Sequence, residues 1–161
     1  MSMACPEPNL SHVVGDRSAP LIEDTIGRYF DRVCADAADL DALVSRHQGA
    51  RLTYAQLRDK VDALACGLMR LGLAKGDRVG IWSPNNVEWA LTQFATAKAG
   101  LTLVTINPAY RRAEVEYAIN KVACKALVLS PSFKTSNYIE MLNDLAPELA
   151  TSKPGELNAA K

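Results

Sequence analysis

The stretch from Gly76 to Asn107, GDRVGIWSPNNVEWALTQFATAKAGLTLVTIN, constrains the fold more than any other part of the chain. A short apolar run, RVGIW, passes through a loop rich in helix-capping residues, Ser83 to Asn86, into a helical segment that reaches about Lys98 and stops at Gly100. A β-branched run, LTLVTIN, follows with the length of a buried strand. Two strands separated by a helix pair in parallel through a right-handed crossover. The pattern then repeats: EVEYAINKV is helical after the Asn107-Pro108 turn, KALVLS reads as a strand, and TSNYIEMLNDL reads as a helix ended before Pro147. The order from Gly76 onward predicts an α/β fold, a layered, parallel-rich sheet with flanking helices.

Upstream of that unit, TIGRYFDRVCADAADLDALV places Ile26, Tyr29, Phe30, Val33 and Ala37 at helical spacing behind a Thr25 cap. A short strand fits Ala42 to Ser45, and RHQGARLTY reads as a hairpin whose turn contains Gly49. From Thr53 or Tyr54 the period changes. Leu57, Val61, Leu64, Leu68 and Leu71 recur every three or four residues until Gly72, which defines a helix with one apolar face. Residues 1–24 carry Pro6, Pro8 and Pro20 without a sustained period and predict an extended arm, 25–149 form the main unit, and 150–161 read as a linker or truncated end.

Charge excludes one class of partner. Lys plus Arg (18) balances Asp plus Glu (18) with no basic stripe, so nucleic acid is not expected. The apolar runs are broken well short of the roughly 20 residues a membrane-spanning helix needs, which predicts no transmembrane segment. The amino-terminal stretch lacks the order of a signal peptide, and Glu7, Asp16, Glu23 and Asp24 depart from the acid-poor composition of a transit peptide, so a cytoplasmic location is expected. Cys5, Cys34, Cys66 and Cys124 form no CxxC pair and are read as reduced thiols, with Cys66 and Cys124 packed as small apolar residues.

The residues offer little catalytic chemistry. A phosphate-binding loop needs a Gly-rich turn with a Lys, and neither that pattern nor GxGxxG is present. Gly72, Gly76 and Gly80 recur every four residues, and the first two read as a helix C-cap and a turn. His12 and His47 lack relay partners and read as surface residues. Asp77 and Arg78 could be catalytic in principle, but a charged pair entering a strand reads better as a solvated or backbone-capping arrangement. Trp82, Asn85, Asn86 and Trp89 sit where ligands bind in open α/β sheets, beyond the carboxyl end of a strand, although two tryptophans flanking a helix are more often core and cap. In INPAYRR, Asn107 and Pro108 end a strand, Tyr110 could stack, and Arg111 and Arg112 could meet a phosphate or stay solvated.

LTYAQL (Leu52 to Leu57), GLAKGDRVGIWSPNNVEW and ATAKAGLTLVTINPAY, taken together, resemble the first conserved blocks of the AMP-forming acyl-CoA synthetases, the adenylate-forming family. The resemblance runs from about Thr25 to Leu149, and the later stretch, including PGEL, is similar to medium-chain type fatty-acyl-CoA ligases. It implies part of a larger N-terminal domain, in an enzyme that uses fatty acid, ATP, Mg²⁺ and CoA. It also implies that the phosphate loop, later acidic and aromatic blocks and a catalytic Lys lie elsewhere. No catalytic, cofactor-binding or metal residue is therefore expected here, and no cofactor for this chain alone. SPSFKTSNY has no glycine and does not match the family loop.

The resemblance carries over scaffold positions only: Thr53, Tyr54, Gly76, Asp77, Asn85, Ala99, Gly100, Asn107, Pro108 and Tyr110. A fragment of such an enzyme is expected to be inactive by itself. It is also expected to expose a strand edge and an apolar face, giving marginal stability or self-association. Two rival readings are a non-catalytic fragment that binds a missing carboxyl-terminal portion and a stand-alone Rossmann-like nucleotide binder, the latter disfavoured by the absent Gly-rich fingerprint.

Overall fold

The computed structural model describes Ser11, Gly15, Asp16, Ser18, residues 20–153 and residues 155–159. Cys5, Pro6, Pro8, His12 and most of the expected arm lie outside the described residues. The chain runs α1 (Ile26–Asp36), β1 (Asp41–Ser45), β2 (Ala50–Thr53), α2 (Tyr54–Arg70), β3 (Arg78–Trp82), α3 (Val87–Lys98), β4 (Thr102–Ile106), α4 (Arg112–Lys121), β5 (Ala126–Leu129), β6 (Ser132–Phe133), β7 (Ser136–Asn137) and α5 (Tyr138–Leu145), followed by a 3₁₀ turn over Pro147–Ala150.

β3, β4 and β5 form a parallel sheet in the order β4-β3-β5. β3 is central and its last four residues are buried, whereas β4 keeps Thr102 and Thr105 exposed. Alternation along the strands sends side chains to two faces. Val79, Ala126 and Val128 meet α1, α2 and α3 through Phe30, Leu57, Val61, Leu68 and Ala95. Trp82, Val104, Ile106, Leu127 and Leu129 meet α4 and α5 through Val115, Ile119, Tyr138 and Met141. Gly80 lies between these strands because a Cβ there would stand 2.9 Å from Leu127 Cδ1 and 3.3 Å from Ile106 Cδ1. The missing side chain lets both neighbours close over the central strand.

Four helices start on a side-chain cap. Thr25, Thr53, Asn86 and Asn137 accept from the backbone N–H of Arg28, Gln56, Trp89 and Glu140. At α2 the Gln56 side chain returns the bond to the Thr53 N–H at 3.0 Å, completing a reciprocal cap. α2 ends as its sequence dictates, with Gly72 at φ 87° just beyond it.

Three local expectations change. In α1 the buried residues are Gly27, Phe30 and Cys34, while Ile26 and Tyr29 are exposed, so the core face is turned from the one read in sequence. In α2 the apolar stripe closes at Leu68, because the helix stops at Arg70 and leaves Leu71 67% exposed. Cys66 is exposed and Cys124 only half-buried; among the described cysteines the fully buried thiol is Cys34, whose pKa burial raises. Cys66 follows Ala65, which takes the inward position one residue earlier.

Helices α1, α2 and α3 meet at one ammonium. Lys98 binds Asp31 of α1 and Asp62 of α2. Burial works against its charge, but the two carboxylates outweigh it and hold its pKa above the ordinary lysine value.

Candidate functional site

The strands β3, β4 and β5 end together at Trp82, Ile106 and Leu129, and in an open parallel sheet ligands bind beyond such ends. Because Trp82 is in register with Leu129, the next residues, Ser83 and Ser130, face each other with hydroxyls 2.7 Å apart. Ser83 Oγ donates to Pro84 O at 2.9 Å, which leaves Ser130 to donate to Ser83. Asn86 Nδ2 donates to Ser83 Oγ at 3.0 Å, while its Oδ1 caps α3 by accepting from Trp89 N at 2.8 Å. Gln48 in the β1–β2 turn joins the same corner. Its Oε1 accepts from Val87 N at 2.8 Å and from Ser45 Oγ at 2.9 Å, and its Nε2 donates to Glu88 at 2.9 Å.

The loops after β4 and β5 are tied to each other as well. Asn107 forms a tight turn, its Oδ1 accepting from Ala109 N at 2.9 Å and its carbonyl from Tyr110 N at 3.0 Å. The Pro108 carbonyl then accepts from the Tyr138 hydroxyl. Tyr138 is fully buried, and its ring stacks on Trp82 at 3.7 Å between centroids and 14° between planes. Burial raises its pKa, which keeps the hydroxyl a donor. Arg111 Nη1 donates to buried Ser136 at 3.1 Å, and Arg112 pairs with Asp144 at 2.7 Å. The Trp82 indole N–H is buried with no acceptor among the described residues, and the ring is held by burial and by its stacking on Tyr138.

The opposite edge is closed by backbone. Asp77 accepts from Ala74 N at 2.8 Å and pairs with Lys125 at 2.9 Å; those hydrogen bonds hold its carboxyl below the usual range. Arg78 donates to the carbonyls of Val122 and Ala123, each at 2.9 Å. These hydrogen bonds to backbone groups are those of the backbone-capping arrangement.

The scaffold positions thus divide. Gly76, Asp77, Ala99 and Gly100 lie at the entry edge, where Gly76 N donates to Gly100 O at 2.9 Å. Asn85, Asn107, Pro108 and Tyr110 lie at the exit edge with Asn86, Arg111 and Arg112. Thr53 caps α2 and Tyr54 starts it. Trp82 belongs to the core and Trp89 is half-buried within α3. His47 is exposed, with Nδ1 3.3 Å from Ser45 Oγ.

Sequence reasoning missed Ser83, Ser130 and Tyr138 as an assembly. One signal was present: both β3 and β5 are followed by the dipeptide Ser-Pro, at 83–84 and 130–131. The exit edge has the position of a ligand site but no nucleophile with a base beside it, and its serine hydroxyls are engaged with one another. No group of three or more His, Cys, Asp or Glu able to hold a metal occurs among the described residues.

The family model of AMP-binding enzymes matches residues 30–158. The chain belongs to the AMP-binding enzyme family. Among curated AMP-binding relatives, the mitochondrial medium-chain acyl-CoA ligase ACSF2 of Bos taurus is 45% identical over 97% of this chain and 25% of its own length. The Homo sapiens protein of that name is 42% identical over 99% of this chain and 26% of its own length. The chain therefore spans about a quarter of the length of these relatives. Among solved structures, the N-terminal domain of FACL13 from Mycobacterium tuberculosis superposes with a TM-score of 0.70 at 27% identity, covering 81% of this chain and 31% of that one. A Mycobacterium tuberculosis fatty acyl CoA synthetase gives 0.69 at 26% identity, covering 85% and 30%. The expected layered α/β fold is the one found in these AMP-binding enzymes.

Proposed function

We propose that this chain forms the amino-terminal part of an AMP-forming fatty-acyl-CoA ligase acting on medium-chain acids. In that reaction a carboxylate oxygen attacks the α-phosphorus of ATP and diphosphate leaves. The CoA thiol, losing its proton, then attacks the acyl carbon, and AMP leaves with the bonding electrons. The observation that carries the reading is the 45% identity to a medium-chain acyl-CoA ligase across 97% of the chain.

The chain's own contribution is scaffolding. With no phosphate loop in the sequence, no residue is assigned to ATP, Mg²⁺ or CoA. Thr53, Tyr54, Gly76, Asp77, Asn85, Gly100, Asn107, Pro108 and Tyr110 are assigned to building the two sheet edges and the start of α2. The chain is further proposed to divide into an extended arm (1–24), the N-terminal part of an AMP-binding domain (25–149) and a linker or truncated end (150–161). The proposal also includes a cytoplasmic location, although the relatives above are named as mitochondrial; fractionation of cells expressing the tagged protein decides between the two. No helix among the described residues is long and apolar enough to cross a membrane.

The deciding experiment replaces the matched quarter of the bovine ligase with this chain and follows AMP release with ATP, Mg²⁺, CoA and fatty acids of graded length. The hybrid is expected to form acyl-CoA, and the 161-residue chain assayed beside it to release no AMP. A folded hybrid without activity on any acid, or AMP release by the short chain, overturns the assignment.

A further inference from the structure

We draw no further inference here: the strongest candidate, the apolar groove beside α1 lined by Ile22, Ile26, Tyr29, Phe30, Tyr54 and Phe94, carries none because nothing in the structure shows what covers it.

Discussion

Gly27 and Gly67 are both helical glycines, and replacing each by alanine should move stability in opposite directions. A Cβ on Gly67, inside α2, meets nothing within 4 Å. Gly67→Ala therefore gains the helix preference of alanine, about 0.5–1 kcal/mol. A Cβ on Gly27, the second residue of α1, stands 3.1 Å from Lys98 Cα, 3.2 Å from Lys98 Cγ and 3.4 Å from Ala97 O. Carbon atoms in ordinary contact sit about 3.5–4.0 Å apart, and here the nearest atom is backbone, so α1 and α3 must separate. Overpacking of this kind costs about 1–3 kcal/mol, which exceeds the helix gain. The expected net for Gly27→Ala is a loss of about 0.5–2 kcal/mol. At about 2–4 °C per kcal/mol for a chain of this size, Tm falls by about 1–8 °C. Urea unfolding followed by circular dichroism, with an unchanged slope, measures both variants on one scale. If Gly27→Ala stabilises as Gly67→Ala does, the α1–α3 contact is absent and the packing argument fails.

The exit edge offers two further tests. Ser130→Ala should cost about 1 kcal/mol and Ser83→Ala about 1–3, and the double variant should fall short of their sum by at least about 0.5 kcal/mol in urea titrations; additivity would mean the hydroxyls do not meet. Tyr138→Phe leaves the Pro108 carbonyl without its donor and should cost about 1–2 kcal/mol while preserving tryptophan emission; Tyr138→Leu should alter that emission as well, since it removes the ring stacked on Trp82. Asp77 has a folded pKa below its unfolded value, so its contribution is present above the unfolded value of about 3.9 and is lost as pH falls through the folded one. Asp77→Asn should accordingly be the weaker protein at pH 7, with a shallower loss of urea midpoint on acidification; parallel acid limbs would contradict this. The chain alone should be marginally stable or self-associate, because β4 and β5 each pair on one side only among the described residues. A sharp cooperative melt together with a clean monomer in sedimentation velocity would refute it.

The parallel sheet was legible because β3 and β4 are apolar, β-branched runs punctuated by Gly76, Gly100 and Asn107, so pattern and turn chemistry agreed. The β6–β7 hairpin was not legible. Its strands are two residues each, in the polar string SFKTSN, and its tip residue Lys134 takes φ 52° without the glycine that usually marks such a turn. The helix read from Thr135 consequently begins at Tyr138. In α1, periodicity named a stripe but not which edge of it faced inward; Gly27, with no side chain to count, is buried where a Cβ would stand 3.1 Å from Lys98 Cα of α3. At the exit edge, single residues were legible as candidates, but the Ser83–Ser130 meeting depends on strand register, which no local pattern encodes.

The single ammonium at the three-helix junction makes its three members unequal. Either Asp31 or Asp62 can be lost while Lys98 keeps one counter-charge. Losing Lys98 leaves two half-exposed carboxylates from different helices without the cation that joins them. One substitution at Lys98 therefore breaks both ties between helices, whereas one at either aspartate breaks a single tie and leaves the other standing.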